Sequence, residues 1–198
     1  MDFMLCAALL SAQTEVGEWY ATGGVFLENV EYDVPAIDFG GFISNPFTLE
    51  FDQETSFRVG AGTRLNEQFN LELEFGLGSG EITDAAPGVV GYAEYDYTTF
   101  GAMLTYPIAV TDQFTFTPKA GVGFTEAEGG FIVIDQFGNG VLAVIDDSAF
   151  SFKLEASAEY AISESANIFA GYRLETTDFS ENGDLANSGL IFGAQFSF

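Results

Sequence analysis

The alternation of apolar and polar residues is the feature that most limits what this chain can fold into. In the segment FSFKLEASAEY, Phe150, Phe152 and Leu154 fall on one side of an extended backbone, and the residues between them are polar. Seven more segments follow the same pattern: EWYATGGVFL, SFRVGAGTRL, FNLELEFGLG, TTFGAMLTY, FTFTPKAGVGFT, NIFAGYRLE and GLIFGAQFSF. Period two over about ten residues predicts β-strands, and strands of that length can cross a lipid bilayer.

The connections between these eight segments alternate in length. Three are short, at residues 66–68, 107–113 and 161–165, and the other four are longer. This layout predicts an all-β fold, an eight-stranded antiparallel up-and-down transmembrane β-barrel with four long outer loops and short periplasmic turns. A soluble up-and-down barrel of the lipocalin kind is the alternative, and it would carry its apolar residues inside.

The charges within the strands favour the membrane barrel. All ten mid-strand charges lie on the face opposite the apolar one, and five are basic and five acidic. They are Arg58, Arg64, Lys119, Lys153, Arg173, Glu72, Glu74, Glu155, Glu159 and Glu175. An eight-stranded barrel has little interior space, so the bulky apolar side chains fit outside, and glycines on the polar face leave room for the charges. We predict that these ten residues form a lumen ion-pair network, because buried charges require partners.

Two pairs within this set are predicted to be cross-strand neighbours. The three-residue turn after Leu65 places Arg64 diagonal to Glu72 and Arg58 diagonal to Glu74. Diagonal neighbours on adjacent strands are within reach of long side chains.

Composition excludes several classes of function. The net charge is −25 and only five residues are Lys or Arg, which argues against nucleic-acid binding because phosphate contacts require clustered cations. The chain has no histidine, the most common general base and metal ligand. Glu72 and Glu74 form a carboxylate pair, but the arginines opposite them favour a structural role. We therefore predict no enzymatic activity and no cofactor.

The N-terminal segment differs from the rest of the chain. Residues 1–16 contain a short apolar run followed by the small residues Ser11 and Ala12, which is typical of a secretory signal peptide, although the basic start of such signals is missing. We predict a signal-peptide remnant or disordered segment at 1–16 and a barrel domain at 17–198. No apolar stretch approaches 18 residues, so the sequence predicts no transmembrane helix.

The opening EWYATGGVF, the terminal FGAQFSF and the layout of four loops and three turns resemble the small eight-stranded outer-membrane proteins. This family includes OmpX, the opacity-type adhesins and the barrel half of OmpA. The resemblance implies a monomer in the outer membrane of a Gram-negative bacterium, surrounded by outer-membrane lipid and lipopolysaccharide. It also implies that Phe196 and Phe198 belong to the insertion signal that the outer-membrane assembly machinery recognises.

The long loops are where we expect function. Residues 28–54, 81–96, 126–147 and 178–184 carry 19 of the 30 acidic residues and none of the basic ones. Divalent cations could bind there, with Asp146 and Asp147 as weak candidate ligands, although no EF-hand spacing occurs. We predict a non-enzymatic barrel that serves envelope integrity or surface interaction and adhesion. The alternative is a small pore or transporter for ions or apolar solutes, as in OmpW-like barrels.

Overall fold

The computed structural model describes residues 17–36, 46–82, 90–134, 140–179 and 183–198. The predicted signal segment at 1–16 lies outside the described residues. The described residues form eight long strands and one short one. They are β1 (Trp19–Val34), β2 (Phe47–Arg64), β3 (Asn70–Ile82), β4 (Val90–Thr105), β5 (Ile108–Ala109), β6 (Phe114–Ile134), β7 (Gly140–Ala161), β8 (Ala166–Asp178) and β9 (Asp184–Ser197). Among the described residues, no helix is long and apolar enough to cross a membrane.

The strands close into a barrel. Neighbouring long strands pair antiparallel, and the first and last long strands, β1 and β9, pair from Tyr20–Ser197 to Asp33–Asp184. β4 pairs directly with β6, and the two-residue β5 adds to β6 within the turn that follows β4. The predicted fold class, a closed eight-stranded antiparallel barrel, is confirmed, and β5 is the one described strand that the sequence pattern did not predict.

Within the barrel the two faces of the wall differ as predicted. The outward face carries exposed apolar side chains on every long strand, such as Phe57, Leu73 and Phe152. The inward face carries buried polar and charged residues together with glycines, and a few large side chains such as Phe26, Met103 and Ile191 are buried among them. We call the outward apolar surface the apolar band. It ends near Trp19 and Phe198 at the end of the barrel that carries the short turns, the turn end.

Two inward glycines show why small residues are needed on the polar face. A Cβ atom at Gly76 would lie 2.5 Å from Nη1 of Arg58, and a Cβ atom at Gly62 would collide with the ring of Tyr20. Both large side chains therefore occupy space that the glycines leave empty. The sequence pattern predicts that inward glycines make room for arginine, but it does not predict the same arrangement for tyrosine.

The strands extend much further toward the opposite end, the loop end, than the predicted loop bounds allow. For β6 and β7 the stretch FIVIDQFGNGVLAVIDD already predicts such an extension, and the two strands pair as far as Ile134–Gly140. Large parts of the predicted loops 28–54, 81–96, 126–147 and 178–184 are strand. The alternation continues through this region with its polarity inverted. In β1, for example, Val30 and Tyr32 are buried inside, and Glu31 is exposed outside. The inversion has a physical reason: beyond the apolar band the outer face meets water, and the inner face becomes the drier one.

Beyond the apolar band the wall divides into two sheets. Among the described residues, the pairing of β2 with β3 stops at Phe57–Leu77, and the pairing of β7 with β8 stops at Ser151–Thr177. The extensions of β3, β4, β6 and β7 remain paired with one another, as do those of β8, β9, β1 and β2. The two sheets face each other across the loop end of the lumen.

Candidate functional site

The centre of the lumen is built around Arg173, which β8 places on the barrel interior and which is fully buried. Its Nη1 and Nη2 atoms donate to the two carboxylate oxygens of Glu74 at 2.8 and 2.6 Å. Its Nε and Nη2 atoms donate to Oε2 of Glu155 at 3.0 and 2.6 Å. β3 and β8 lie four strands apart around the barrel, so the contact between Arg173 and Glu74 spans the lumen. Bidentate charged hydrogen bonds of this kind fix geometry as well as adding energy.

Two lysines extend this cluster along the barrel axis. Nζ of Lys153 lies 3.2 Å from Oε1 of Glu74 and 3.3 Å from Oε1 of Glu175. Nζ of Lys119 lies 3.2 Å from Oε1 of Glu155. The two lysines therefore link the central arginine contacts to carboxylates on both sides.

The chain of ion pairs ends with one contact at each side. Nζ of Lys119 lies 3.5 Å from Oε2 of Glu72, and Nη2 of Arg58 lies 3.7 Å from Oε2 of Glu175. Eight of the ten predicted residues are thus joined by ion pairs. We call these eight the lumen network: Arg58, Glu72, Glu74, Lys119, Lys153, Glu155, Arg173 and Glu175.

The partners differ from the two predicted diagonal pairs. Arg58 approaches Glu175 instead of Glu74. Arg64 donates to the backbone carbonyls of Asn66 and Glu67 and so holds the first turn. The physical reason is curvature: inward side chains converge on the axis of a narrow barrel, so residues on distant strands become closer partners than diagonal neighbours. The remaining predicted residue, Glu159, is half-buried at the turn end.

A polar vestibule lies at the turn end beside Glu159. Its lining includes Tyr20, Arg64, Glu72 and Lys119, and its volume of about 40 Å³ is large enough for one or two water molecules. Polar atoms of its lining are buried without a protein hydrogen-bond partner, as at Oδ1 of Asn70. Water that enters from the turn end can satisfy such atoms, and the lumen network closes the vestibule from above.

One buried acid of the lumen is not predicted by the sequence pattern. Glu28, in β1, is fully buried, and its carboxylate accepts hydrogen bonds from the Tyr97 hydroxyl at 2.5 Å and from Nδ2 of Asn187 at 2.8 Å. The Tyr97 hydroxyl also accepts from Nη2 of Arg58 at 2.8 Å, which connects Glu28 to the lumen network. The sequence pattern predicts a loop at Glu28, because the apolar alternation ends beside it. The inverted pattern that follows was the signal that could have found it.

An apolar cluster fills the loop end of the lumen above this polar layer. Its buried side chains come from both sheets, and we call it the outer cluster. They are Val30, Tyr32, Val34, Leu49, Phe51, Tyr95, Tyr97, Ala127, Phe179 and Leu185. The rings of Phe51 and Tyr95 meet edge-to-face with centroids 4.6 Å apart, which ties β2 of one sheet to β4 of the other. The cavity among these side chains measures only about 20 Å³. The described side chains therefore fill this end of the lumen.

The outer surface at the same level is acidic. Just beyond the apolar band, six of the eight long strands present an exposed acid on the outward face. We call these residues the acidic collar: Glu31, Glu81, Asp96, Glu128, Asp146 and Asp178. Every basic residue of the chain lies in the lumen network except Arg64 at the first turn, so the collar contains no cation of its own.

Two groups near the collar have perturbed acidities. Asp184 pairs with Asp33 on one side and with Asp178 on the other. Partial burial and these two neighbouring carboxylates raise the pKa of Asp184 above its ordinary value. Burial, together with the Asp147 and Asp184 carboxylates, raises the pKa of the Tyr32 phenol to about 12. Like charges are therefore crowded where β1, β8 and β9 leave the barrel.

The structure does not bring the two candidate metal ligands together. Asp146 and Asp147 are consecutive residues of β7 and so point to opposite faces, with Asp146 exposed and Asp147 half-buried. In the part of the chain that is described, no group of three or more acidic or sulfur side chains could hold a metal ion.

The two phenylalanines predicted to carry the insertion signal lie on or next to the last strand. Phe196 and Phe198 are 55% and 78% exposed on the outward side at the turn end. The amide of Phe198 donates to the carbonyl of Trp19 at 3.0 Å, which extends the seam between β1 and β9 to the last residue. Recognition by the assembly machinery stays a prediction.

Comparison with known families decides the class of protein. The sequence matches the family described as outer membrane protein beta-barrel domain over residues 3–198. This chain belongs to that family. As an outer-membrane β-barrel, it places its apolar band in the lipid of the bacterial outer membrane, its turn end toward the periplasm and its loop end outside the cell.

Solved structures of other outer-membrane barrels share this fold at low identity. Ail, the attachment invasion locus protein of Yersinia pestis, solved in complex with the heparin analogue sucrose octasulfate, is 14% identical, with a TM-score of 0.51 over 93% of this chain and 100% of that chain. OprG from Pseudomonas aeruginosa is 11% identical, with a TM-score of 0.55 over 94% and 98%. The outer membrane protease OmpT from Escherichia coli is 10% identical, with a TM-score of 0.50 over 95% and 100%. No curated protein sequence matches this outer-membrane barrel.

Proposed function

We propose that this protein is a non-enzymatic outer-membrane barrel that acts through its outer surface, in surface interaction and adhesion or in envelope integrity. The observation that carries this proposal is the filled lumen. The lumen network occupies the centre of the barrel, and the outer cluster occupies its loop end. A barrel whose interior is occupied by its own side chains has its outer surface left for function.

The chemistry of the lumen supports a structural role for the carboxylates. Glu72 and Glu74, which a hydrolase could use as an acid–base pair, each contact a buried cation within 3.5 Å. The chain offers no histidine as an alternative base. The fold itself does not decide the matter, because one architecture hosts many functions.

The outward face of the β6–β7 extension is the surface that best fits a contact role. Beyond the acidic collar, Leu142 and Val144 are 64% and 69% exposed, and Ile132 lies beside Leu142 on the neighbouring strand. Apolar side chains grouped on a water-exposed surface often mark a site of interaction. We name Ile132, Leu142 and Val144 the ribbon patch.

The collar beneath the ribbon patch faces lipopolysaccharide, whose phosphates are also anionic. Because the collar has no lysine or arginine, we propose that divalent cations bridge its carboxylates to lipid phosphates. Such a bridge is diffuse, and it does not require a dedicated cluster of ligands within the protein.

The adhesion proposal can be tested with cells that display the protein. The double variant Leu142→Ser, Val144→Ser should lower attachment of expressing cells to surfaces that wild-type cells bind. The variant Thr176→Ala, which alters an exposed residue on the outward side of β8, should leave attachment unchanged. If the double variant reaches the surface in equal amount and attaches as wild type does, the ribbon patch has no adhesive role.

The competing function is a small pore or transporter for ions or apolar solutes. A solute would have to displace both the outer cluster and the lumen network along the described interior. Single-channel recording of the refolded protein in a planar bilayer tests this possibility.

A further inference from the structure

The wall of the barrel carries a groove on its lipid-facing side. The groove has a volume of about 500 Å³ and is almost wholly apolar. Its floor is formed by three outward-facing small side chains on β6 and β7, Pro118, Ala120 and Ala156. Small residues on a lipid-facing surface leave a depression where their neighbours are large.

The flanking strands supply the large side chains. Across the ladder, Ala120 lies between Leu104 and Leu154, and Ala156 lies between Pro118 and Tyr172. Leu104 on β4 and Tyr172 on β8 are 45% and 48% exposed, so they project from the wall as the two sides of the groove. Leu154, on β7 itself and 57% exposed, bounds the groove on the loop-end side of Ala156. The floor is two strands wide at Pro118 and Ala156 and narrows to one strand at Ala120, and strands lie about 4.8 Å apart. The groove is therefore wide enough for a single hydrocarbon chain.

Proline at the floor fits the strand pairing at this point. Pro118 has no N–H group to donate to a neighbouring strand, and the pairing between β4 and β6 ends beside it at Thr105–Lys119. The amide of Tyr106 still donates to the Pro118 carbonyl at 3.0 Å. The proline thus interrupts the ladder at its end, and the floor keeps a defined backbone shape.

An aromatic pair closes the groove toward the periplasm. The rings of Phe69 and Tyr106 lie 5.2 Å apart at the edge of the apolar band. Aromatic residues at this depth mark the boundary between hydrocarbon and head groups. The groove therefore opens into the periplasmic half of the bilayer, the leaflet of phospholipid.

We propose that this groove binds one acyl chain of a phospholipid from the periplasmic leaflet. The groove is continuous with the apolar band, whose neighbour in the membrane is lipid. Association inside a bilayer gains little from the hydrophobic effect, so shape and close packing select the occupant. A flexible acyl chain can follow the floor, whereas a second rigid barrel would rest on the raised sides and leave the floor empty.

Native mass spectrometry of protein purified in mild detergent tests the proposal. The Ala156→Trp variant fills the groove floor. The matched control Ala61→Trp adds the same side chain to an outward alanine of β2, outside the groove. We expect wild type and Ala61→Trp to retain one phospholipid at a detergent concentration that leaves Ala156→Trp bare. The electrophoretic mobility of unheated samples confirms that each variant is folded. Pro118→Phe serves as a second variant that fills the groove.

Four results would overturn the assignment. Wild-type protein could carry no lipid, or all variants could retain lipid equally. A dimer mass that disappears only in the groove-filling variants would assign the groove to a second copy of the chain. A retained mass that corresponds to lipopolysaccharide would contradict the choice of leaflet.

Discussion

The substitution Arg173→Leu probes the lumen network at its centre. It removes four charged hydrogen bonds, two to Glu74 and two to Glu155, from a fully buried position. Breaking a buried ion pair by removing one partner typically costs about 3–5 kcal/mol, because the other charge is left uncompensated. Here Glu74 keeps Lys153 and Glu155 keeps Lys119, each at 3.2 Å. We therefore expect a loss near the lower end, about 3 kcal/mol of unfolding free energy.

Urea unfolding in detergent micelles measures this loss, and the fluorescence of Trp19, the one tryptophan, reports the transition. Arg64→Leu is the matched control, because Arg64 is half-buried at the turn end and donates to the turn carbonyls of Asn66 and Glu67. It should cost about 1 kcal/mol or less. Without Arg173 the lumen network has one carboxylate more than it has cations. Adding Glu74→Gln to Arg173→Leu removes this excess negative charge and should restore part of the stability. If Arg173→Leu changes stability by less than about 0.5 kcal/mol, the account of the network is wrong.

Three further predictions concern the glycines, the outer cluster and the collar. Gly76→Ala would place a Cβ atom 2.5 Å from Nη1 of Arg58, so it should lower the unfolding free energy in urea titrations by about 1–3 kcal/mol. The control Gly23→Ala adds a Cβ atom that meets no other atom within 4 Å, so it should leave the unfolding free energy nearly unchanged. Phe51→Ala should open the outer cluster and speed hydrogen exchange at the loop-end extensions, while the lipid-facing Phe57→Ala should not; equal exchange in both would contradict the cluster. Because the pKa of Asp184 is raised in the fold, the strand ends should gain stability as pH falls through that pKa, and Asp178→Asn should shift the carboxyl titration seen by NMR to lower pH.

The barrel can be predicted from the sequence because lipid on the outside and the narrow lumen on the inside impose the same alternation of apolar and polar residues on the membrane-spanning segments. Lipid selects Phe152 and Leu154 for the outside, and limited interior space selects Gly76 and Lys153 for the inside. The rule has exceptions at Phe26, Met103 and Ile191, which are large apolar side chains buried on the inward face. It still places the charged residues of the lumen network inside, and together with the connection lengths it predicts eight strands.

The same reasoning fails where the solvent changes. Beyond the apolar band, apolar residues such as Val30 and Tyr32 turn inward, and acids such as Glu31 turn outward. In β1 the lipid-facing alternation ends at Leu27, and the inverted alternation that follows predicts a loop when lipid is assumed outside. For the same reason the pattern does not predict the burial of Glu28 or of the residues of the outer cluster.

The sequence also does not predict which residues of the lumen network form ion pairs with each other. Strand neighbours are known from turn lengths, but the meeting of Arg173 with Glu74 depends on the curvature of the closed barrel. The groove on the lipid side was missed for a related reason, since it forms only when Leu104 and Tyr172 flank the small residues of two intervening strands.

Single-channel recording of the refolded protein in a planar bilayer tests the central claim, the filled lumen, most directly. We predict that protein shown to be folded by its electrophoretic mobility produces no reproducible current steps. Steps that shrink when Glu74→Gln removes a lumen charge would show that ions pass the network, and they would contradict the account.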